Sequence, residues 1–469
     1  MTRVYSLARF LTARNIVAAI WLMIIAANAK AEPFELRGYY LTFMRMPVMG
    51  LNEWKPAVDC FGEDGANVLI LWMGGGFASK KFPITWQYNR EHHNVTNDFA
   101  RELIDYAHTK KIKVLLGFTP FGYDGVNQYG IEHPELRAKK ADGSVVDQFG
   151  IHCWGWNLCA AQPESQRFMR EYVSEMAFEF YPNADGLLIE SSDYNICRCA
   201  DCGPKYYERE FGFVKWISEE VWKRKPEALV LVYPHYFAGG KVPGMDVEAA
   251  RQEFDSRWGL AFSPHSSHFK PELIAKARAS IYWSDAPILG TPRGVMEAAR
   301  AARKNGVTGF VPSMEAFSYV TTHTEGGEPS ENGKRRRAFG MDTLGEGRMP
   351  YRSLLARVPR SAFREFSRNP DLEFGEFERR LSKEVFGNQN SLAVKELLEL
   401  QRIFTFESDW YWASPLWEPD LFELRKSRLN VAEHRRNFLT LKEMARKYRE
   451  DEMGKVAGEV VRRWGKKSP

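Results

Sequence analysis

Asp185-Gly-Leu-Leu-Ile-Glu190-Ser-Ser-Asp193 is a short apolar run that ends on carboxylates, and its reading decides the fold. The run is continuous rather than alternating, as a strand buried on both faces requires. Just upstream, Phe168, Met169, Tyr172, Val173, Met176 and Phe180 recur at helical spacing and share one face. A helix feeding a doubly buried strand is the repeating unit of a parallel sheet.

The same unit recurs in both directions. Upstream lie Leu36–Phe43, Asn67–Met73 and Lys113–Thr119; downstream lie Leu229–His235, a weaker Gly259–Ser263, Ser280–Asp285 and Gly309–Glu315. Amphipathic helices fall between them, one with Phe99, Leu103, Ile104 and Ala107 on a face, another opened by Thr291-Pro-Arg-Gly. Eight strands with helical crossovers predict an α/β fold, a (β/α)8 TIM barrel over residues 32–345. A doubly wound open sheet is the alternative, but no Gly-x-Gly-x-x-Gly follows an early strand. Two long segments, Phe121–Gln162 and Thr321–Arg337, interrupt the rhythm, and long loops after barrel strands usually build the active face. Beyond Tyr351 no strand pattern remains. Phe377, Leu381, Val385 and Phe386 share a face, as do Leu397, Leu400 and Phe404, so residues 346–469 are expected to form an all-helical C-terminal domain packed on the barrel.

Composition agrees. A chain of 469 residues with 44% hydrophobic side chains can bury a large core, which excludes a disordered or fibrous protein. A net charge of +5 is too small an imbalance for a nucleic-acid binder. Met1–Asn15 carries Arg3, Arg9 and Arg14 without an acidic residue, Ile16–Ala27 is apolar, and small residues follow at Ala27, Ala29 and Ala31. That order reads as a secretory signal peptide over residues 1–31, cleaved near Ala29 or Ala31, giving a secreted or periplasmic protein. No later stretch is long and apolar enough to span a membrane. The sequence is silent on oligomeric state.

The six cysteines all lie in the first half of the chain: Cys60, Cys153, Cys159, Cys197, Cys199 and Cys202. In an oxidising compartment an even count permits disulfides. Cys197-x-Cys199-x-x-Cys202 is too compact for independent bridges, so a partner lies elsewhere, at Cys153 or Cys159. Alternatively the trio and one of those two form a four-thiolate zinc site. Either crosslink would be structural; no catalytic cofactor is expected.

Catalytic groups of a β/α-barrel stand at the C-terminal ends of its strands. There the sequence places Glu190 and Asp193 after strand four, His235 and Tyr236 after strand five, Trp283 and Asp285 after strand seven, and Glu315 after strand eight. Carboxylates facing each other across a barrel mouth suit glycosidic-bond cleavage: one donates a proton to the leaving oxygen, and the other stabilises or attacks the anomeric carbon. The competing reading of Glu190 is a helix cap or an ion pair with an arginine. His235 is a candidate hydrogen-bonding partner of substrate. Trp72, Trp154, Trp156, Tyr236 and Trp283 are candidate stacking surfaces for sugar rings, with core packing the competing reading for each.

Three segments carry a family resemblance: Leu158-Cys-Ala-Ala-Gln-Pro-Glu-Ser-Gln-Arg-Phe168, Tyr181-Pro-Asn-Ala-Asp-Gly-Leu-Leu-Ile-Glu190 and Cys197-Arg-Cys-Ala-Asp-Cys202. They resemble secreted bacterial glycoside-hydrolase-like (β/α)8 barrels, distantly similar to family 67 α-glucuronidases and family 20 β-hexosaminidases. Arg379-Arg-Leu-Ser-Lys-Glu-Val-Phe-Gly387 resembles a segment of the helical domain that follows such barrels. The likeness spans roughly residues 36 to 410. It implies a carbohydrate-processing barrel with acid/base chemistry after strand four. The adjacent Asp-Glu pair of the hexosaminidases is absent, and Glu190-Ser-Ser-Asp193 stands instead, which argues against substrate-assisted cleavage of N-acetylated sugars. The expected function is an exported glycoside hydrolase; the alternative is a catalytically silent barrel that binds a glycan or a cell-surface partner.

Overall fold

The computed structural model describes residues 32–41, 50–86, 95, 97–123, 125–147, 155–192, 195–238, 245–262, 270–284, 292–312, 352, 354–407 and 431–464. Eight strands close a parallel barrel in chain order. They are β1 (Leu36–Leu41), β2 (Val68–Trp72), β3 (Lys113–Phe118), β4 (Gly186–Ile189), β5 (Leu229–Val232), β6 (Trp258–Phe262), β7 (Ala279–Ser284) and β8 (Gly309–Pro312). Pairing of Leu36 with Gly309 and of Arg37 with Phe310 completes the ring. The expected barrel is present, and β2, β3, β4 and β5, whose following residues are described, end earlier than the apolar runs do. β5 stops at Val232 because Pro234 has no N–H for the ladder, and His235–Ala238 turns helical instead.

Every residue of β2, β4, β5, β6 and β8 is buried, as continuous apolar runs demand. Alternate side chains divide between two cores. Ile70, Trp72, Leu115, Leu188, Leu231, Ile281, Trp283 and Val311 fill the barrel interior. Leu69, Leu71, Leu187, Ile189, Val230 and Val232 point outward, under the helices. Gly186 is where β4 and β5 press closest: a Cβ there would stand 1.9 Å from the Leu229 carbonyl oxygen. Gly186→Ala is expected to destabilise by about 3 kcal/mol, the upper end of overpacking costs. A fall of under 1 kcal/mol in urea unfolding would refute that close approach.

The crossovers carry α1 (Leu51–Glu63), α2 (Ala100–Thr109), α3 (Val126–Glu132), α4 (Pro163–Ser174), α5 (Tyr206–Arg224), α6 (His235–Ala238), α7 (Val247–Gln252), α8 (Pro271–Lys276) and α9 (Pro292–Lys304). The helix expected through Phe180 is α4 followed by a π-helical stretch, Glu175–Phe180. Its wider turn shifts the register, so Phe168, Met169, Tyr172, Val173 and Met176 are buried whereas Phe180 is partly exposed. The Phe121–Gln162 segment is not a bare loop: it holds α3, and Arg137 and Leu158 form an antiparallel bridge in it. Thr321–Arg337 lies outside the described residues, as does the capping Thr291.

From Leu354 the described chain is helical: α10 (Leu354–Arg368), α11 (Phe374–Phe386), α12 (Ser391–Glu407), α13 (Val431–Lys447) and α14 (Glu452–Trp464). α10 continues the barrel's outer core, with the Phe363 ring 4.4 Å from Tyr39 and 6.1 Å from Phe310. Its Arg360 reaches a fully buried Asp64 just past α1, with Nε at 2.7 Å and Nη2 at 3.0 Å. Among the described residues no helix is long and apolar enough to cross a membrane.

Candidate active site

Glu190 follows the last residue of β4, and its N–H donates to the Phe118 carbonyl at 2.9 Å, extending the β3–β4 ladder by one step. Strand alternation then fixes its direction. Leu188 points into the barrel and Ile189 out, so Glu190 points in, above Leu188 at the C-terminal mouth. Its side chain is nearly buried, at 9% exposure.

Rings line the same end of the barrel. Tyr40 lies 5.4 Å from Trp283 and 6.4 Å from Trp72, centroid to centroid. Trp72 meets Tyr123 at 6.2 Å, Trp283 meets Tyr233 at 5.6 Å, and Tyr233 meets His235 at 5.9 Å. Gly117 makes room for this arrangement: a Cβ on it would touch the Trp72 ring at 3.3 Å. The indole nitrogens of Trp72 and Trp283 are buried and meet no hydrogen-bond acceptor among the described residues, and neither does the Thr119 hydroxyl. A buried polar group left unsatisfied costs about 1–3 kcal/mol.

Behind Glu190 lies a carboxyl that sequence reasoning missed. Glu210, in α5, is fully buried. It accepts hydrogen bonds from the Ser191 hydroxyl, from the Tyr236 hydroxyl at 2.5 Å and from the Ser192 N–H at 3.2 Å. Ser192 Oγ in turn donates to the Pro120 carbonyl at 2.8 Å. Glu210 therefore fixes the backbone that leaves β4. The sequence held a signal, since Glu210 sits on the helix stripe of Tyr206, Phe213, Val214 and Ile217, where a charge needs a reason.

Burial pushes the Glu210 carboxyl up to about 7, against the hydrogen bonds that pull it down. In the unfolded chain it ionises near 4.5. Between those values the folded protein keeps a proton that the unfolded chain has lost. Stability should therefore fall as pH rises from about 4.5 to 7, by up to about 3 kcal/mol, and then level off. Glu210→Gln cannot ionise and is expected to flatten this decline. An unchanged slope of unfolding free energy against pH would remove Glu210 as its source.

The structure divides the predicted residues. Glu190, Trp72, Trp283 and His235 stand at the mouth, where the His235 ring also packs, tilted, 4.1 Å from that of Tyr236. Tyr236 takes the packing arrangement that was the competing reading for it. It is fully buried against Phe211 and turned to Glu210, because the backbone there is helical rather than extended and its side chain no longer follows strand alternation. Trp156 is covered on one face by the Arg137 guanidinium, 3.7 Å from the ring centre. Asp193, Asp285, Glu315, Trp154 and Cys153 lie outside the described residues. Cys159, Cys197, Cys199 and Cys202 converge, with their sulfur atoms all within 4.8 Å of one another. The thiols of Cys159 and Cys202 drive Cys197 toward the thiolate, and those two are in turn held protonated.

No protein-family model matches the chain, and no curated protein matches it. Solved structures do. A GH138 enzyme targeting pectin rhamnogalacturonan II aligns at 14% identity with a TM-score of 0.51, over 81% of this chain and 44% of that one. A β-N-acetylhexosaminidase from Bacteroides fragilis aligns at 11% identity and TM-score 0.49, over 76% and 70% of the two chains. This chain thus spans less than half the length of the GH138 enzyme. What it shares with that glycoside hydrolase is the fold, a TIM barrel with further helices around and after it.

Proposed function

We propose that the protein is an exported glycoside hydrolase acting on poly- or oligosaccharides, with the chemistry in the barrel (residues 32–345) and a helical domain (346–469) packed against it. The observation that supports this most directly is Glu190, directed into the barrel mouth at the end where aromatic rings gather, whose indole N–H groups meet no acceptor among the described residues. Sugar rings present apolar C–H faces to such rings and hydroxyls to such donors.

Glu190 acts as general acid: its proton passes to the glycosidic oxygen as the bond from that oxygen to the anomeric carbon breaks. A second carboxylate, from Asp285 or Glu315, either attacks the anomeric carbon or takes a proton from the incoming water, while Asp193 tunes or orients Glu190. Water ends on the anomeric carbon, and Glu190 is reprotonated for the next cycle. Glu210 is a positioning residue that holds Ser191 and Ser192. Export rests on the basic, then apolar, then small-residue order of residues 1–31.

The test is release of reducing sugar from a panel of polysaccharides and aryl glycosides by the mature protein. Release from at least one substrate supports the assignment. Glycan binding with no turnover on any of them would make the barrel a binding module.

A further inference from the structure

Cys159 comes from the loop that follows β3, and Cys197, Cys199 and Cys202 come from the loop that follows β4. Cys159, Cys197 and Cys202 are buried, and Cys199 is partly exposed. Cys159 Sγ lies 3.4 Å from Cys202 Sγ and 3.7 Å from Cys199 Sγ. In a tetrahedral zinc site with Zn–S bonds of ~2.3 Å, the sulfur atoms stand about 3.8 Å apart. Two of the sulfur separations are close to that edge, and all four sulfurs lie within 4.8 Å of one another.

The backbone around them is shaped as a thiolate site needs. Lys139 N–H donates to Cys197 Sγ at 3.3 Å, and Cys202 N–H donates to Cys199 Sγ at 3.3 Å. Gly203 N–H closes the Cys199–Cys202 turn onto the Cys199 carbonyl at 2.6 Å. Such donors disperse thiolate charge and orient the ligands. Among the described residues no histidine or carboxylate belongs to the group, and an all-sulfur tetrahedral set selects a soft or borderline cation.

We propose that Cys159, Cys197, Cys199 and Cys202 bind one structural Zn2+, which locks the loop after β3 to the loop after β4. As the ion enters, the thiols release their protons to solvent and four Zn–S bonds form, with no change of oxidation state. Four protein ligands close the coordination shell, so no position is left for water or substrate. The ion also keeps four neighbouring thiols from oxidising in an exported protein. This inference does not depend on the glycosidase reading, because the ligands and their spacing stand without it.

The test is metal content of the purified full chain by elemental analysis, beside Cys202→Ser, Cys199→Ser and Cys60→Ser. Wild type and Cys60→Ser, whose changed residue is outside the cluster, are expected to hold about one zinc per chain, and the two cluster variants to lose it. Because those variants could misfold, a second measurement uses wild type alone. Replacing zinc with Co2+ should give the absorption of a tetrahedral cobalt thiolate, abolished by a chelator together with a gain of thiols reactive to a colorimetric reagent. Disulfides among the four, seen as a mass lower by two hydrogens per bridge, would overturn the proposal. So would iron in place of zinc, or metal-free protein with all four thiols freely reactive.

Discussion

Glu190→Gln is expected to lower kcat for glycan release by two to four orders of magnitude, the usual worth of a positioned general acid. The change keeps the size of the side chain and its place above Leu188, so the aromatic mouth and its affinity for sugar should survive. What disappears is the transferable proton. Aryl glycosides with acidic leaving groups need little protonation, so they should be hydrolysed far less impaired than natural linkages. That contrast separates loss of an acid from loss of fold, which would depress both substrates equally. Equal release by variant and wild type would remove Glu190 from the mechanism and transfer the acid role to Asp285 or Glu315.

The place of Glu190 at the barrel rim was legible because it depends on local rules alone. A doubly buried run marks a parallel strand, strand parity sets direction, and a carboxylate one step past the last apolar residue must stand at the rim. The seven other strands were legible for the same reason. For Tyr236 the sequence left stacking and packing open, because the local rule stops applying where Pro234 ends β5 and the chain coils into a helical turn. Glu210 and Glu175 were missed because their justification lies far off in sequence. Glu175 is buried in the π-helical stretch and accepts from Ser79 Oγ at 2.5 Å and Lys80 N at 2.8 Å. Neither partner can be inferred from periodicity. For the cysteines the pattern left zinc and disulfides open, and Cys153 and Cys159 as rival fourth members. The fold brings Cys159 to the trio, which no spacing in the sequence required.

A large expected loss of stability comes from another pair invisible in the sequence. Asp64 and Arg360 are almost three hundred residues apart, yet their side chains are 1% and 7% exposed and bonded at 2.7 Å. Tyr39 donates to the same Asp64 carboxylate at 2.9 Å, and Arg360 also donates to the Cys60 carbonyl at 2.8 Å. Arg360→Met would leave Asp64 buried and charged, with Arg364 at 3.9 Å as its nearest remaining cation. Breaking a buried pair from one side costs about 3–5 kcal/mol, and the Arg364 charge argues for the lower end. The penalty should shrink at pH 5 relative to pH 8, because a stranded carboxyl whose partner is gone can take a proton and become neutral. Replacing both residues, Asp64→Leu with Arg360→Met, removes the stranded charge and should recover most of the loss. Urea unfolding of the single and double variants at the two pH values measures all three effects. A single variant within 1 kcal/mol of wild type would mean that the junction of α10 with the barrel is held by Phe363 and its neighbours alone, with the ion pair a passenger.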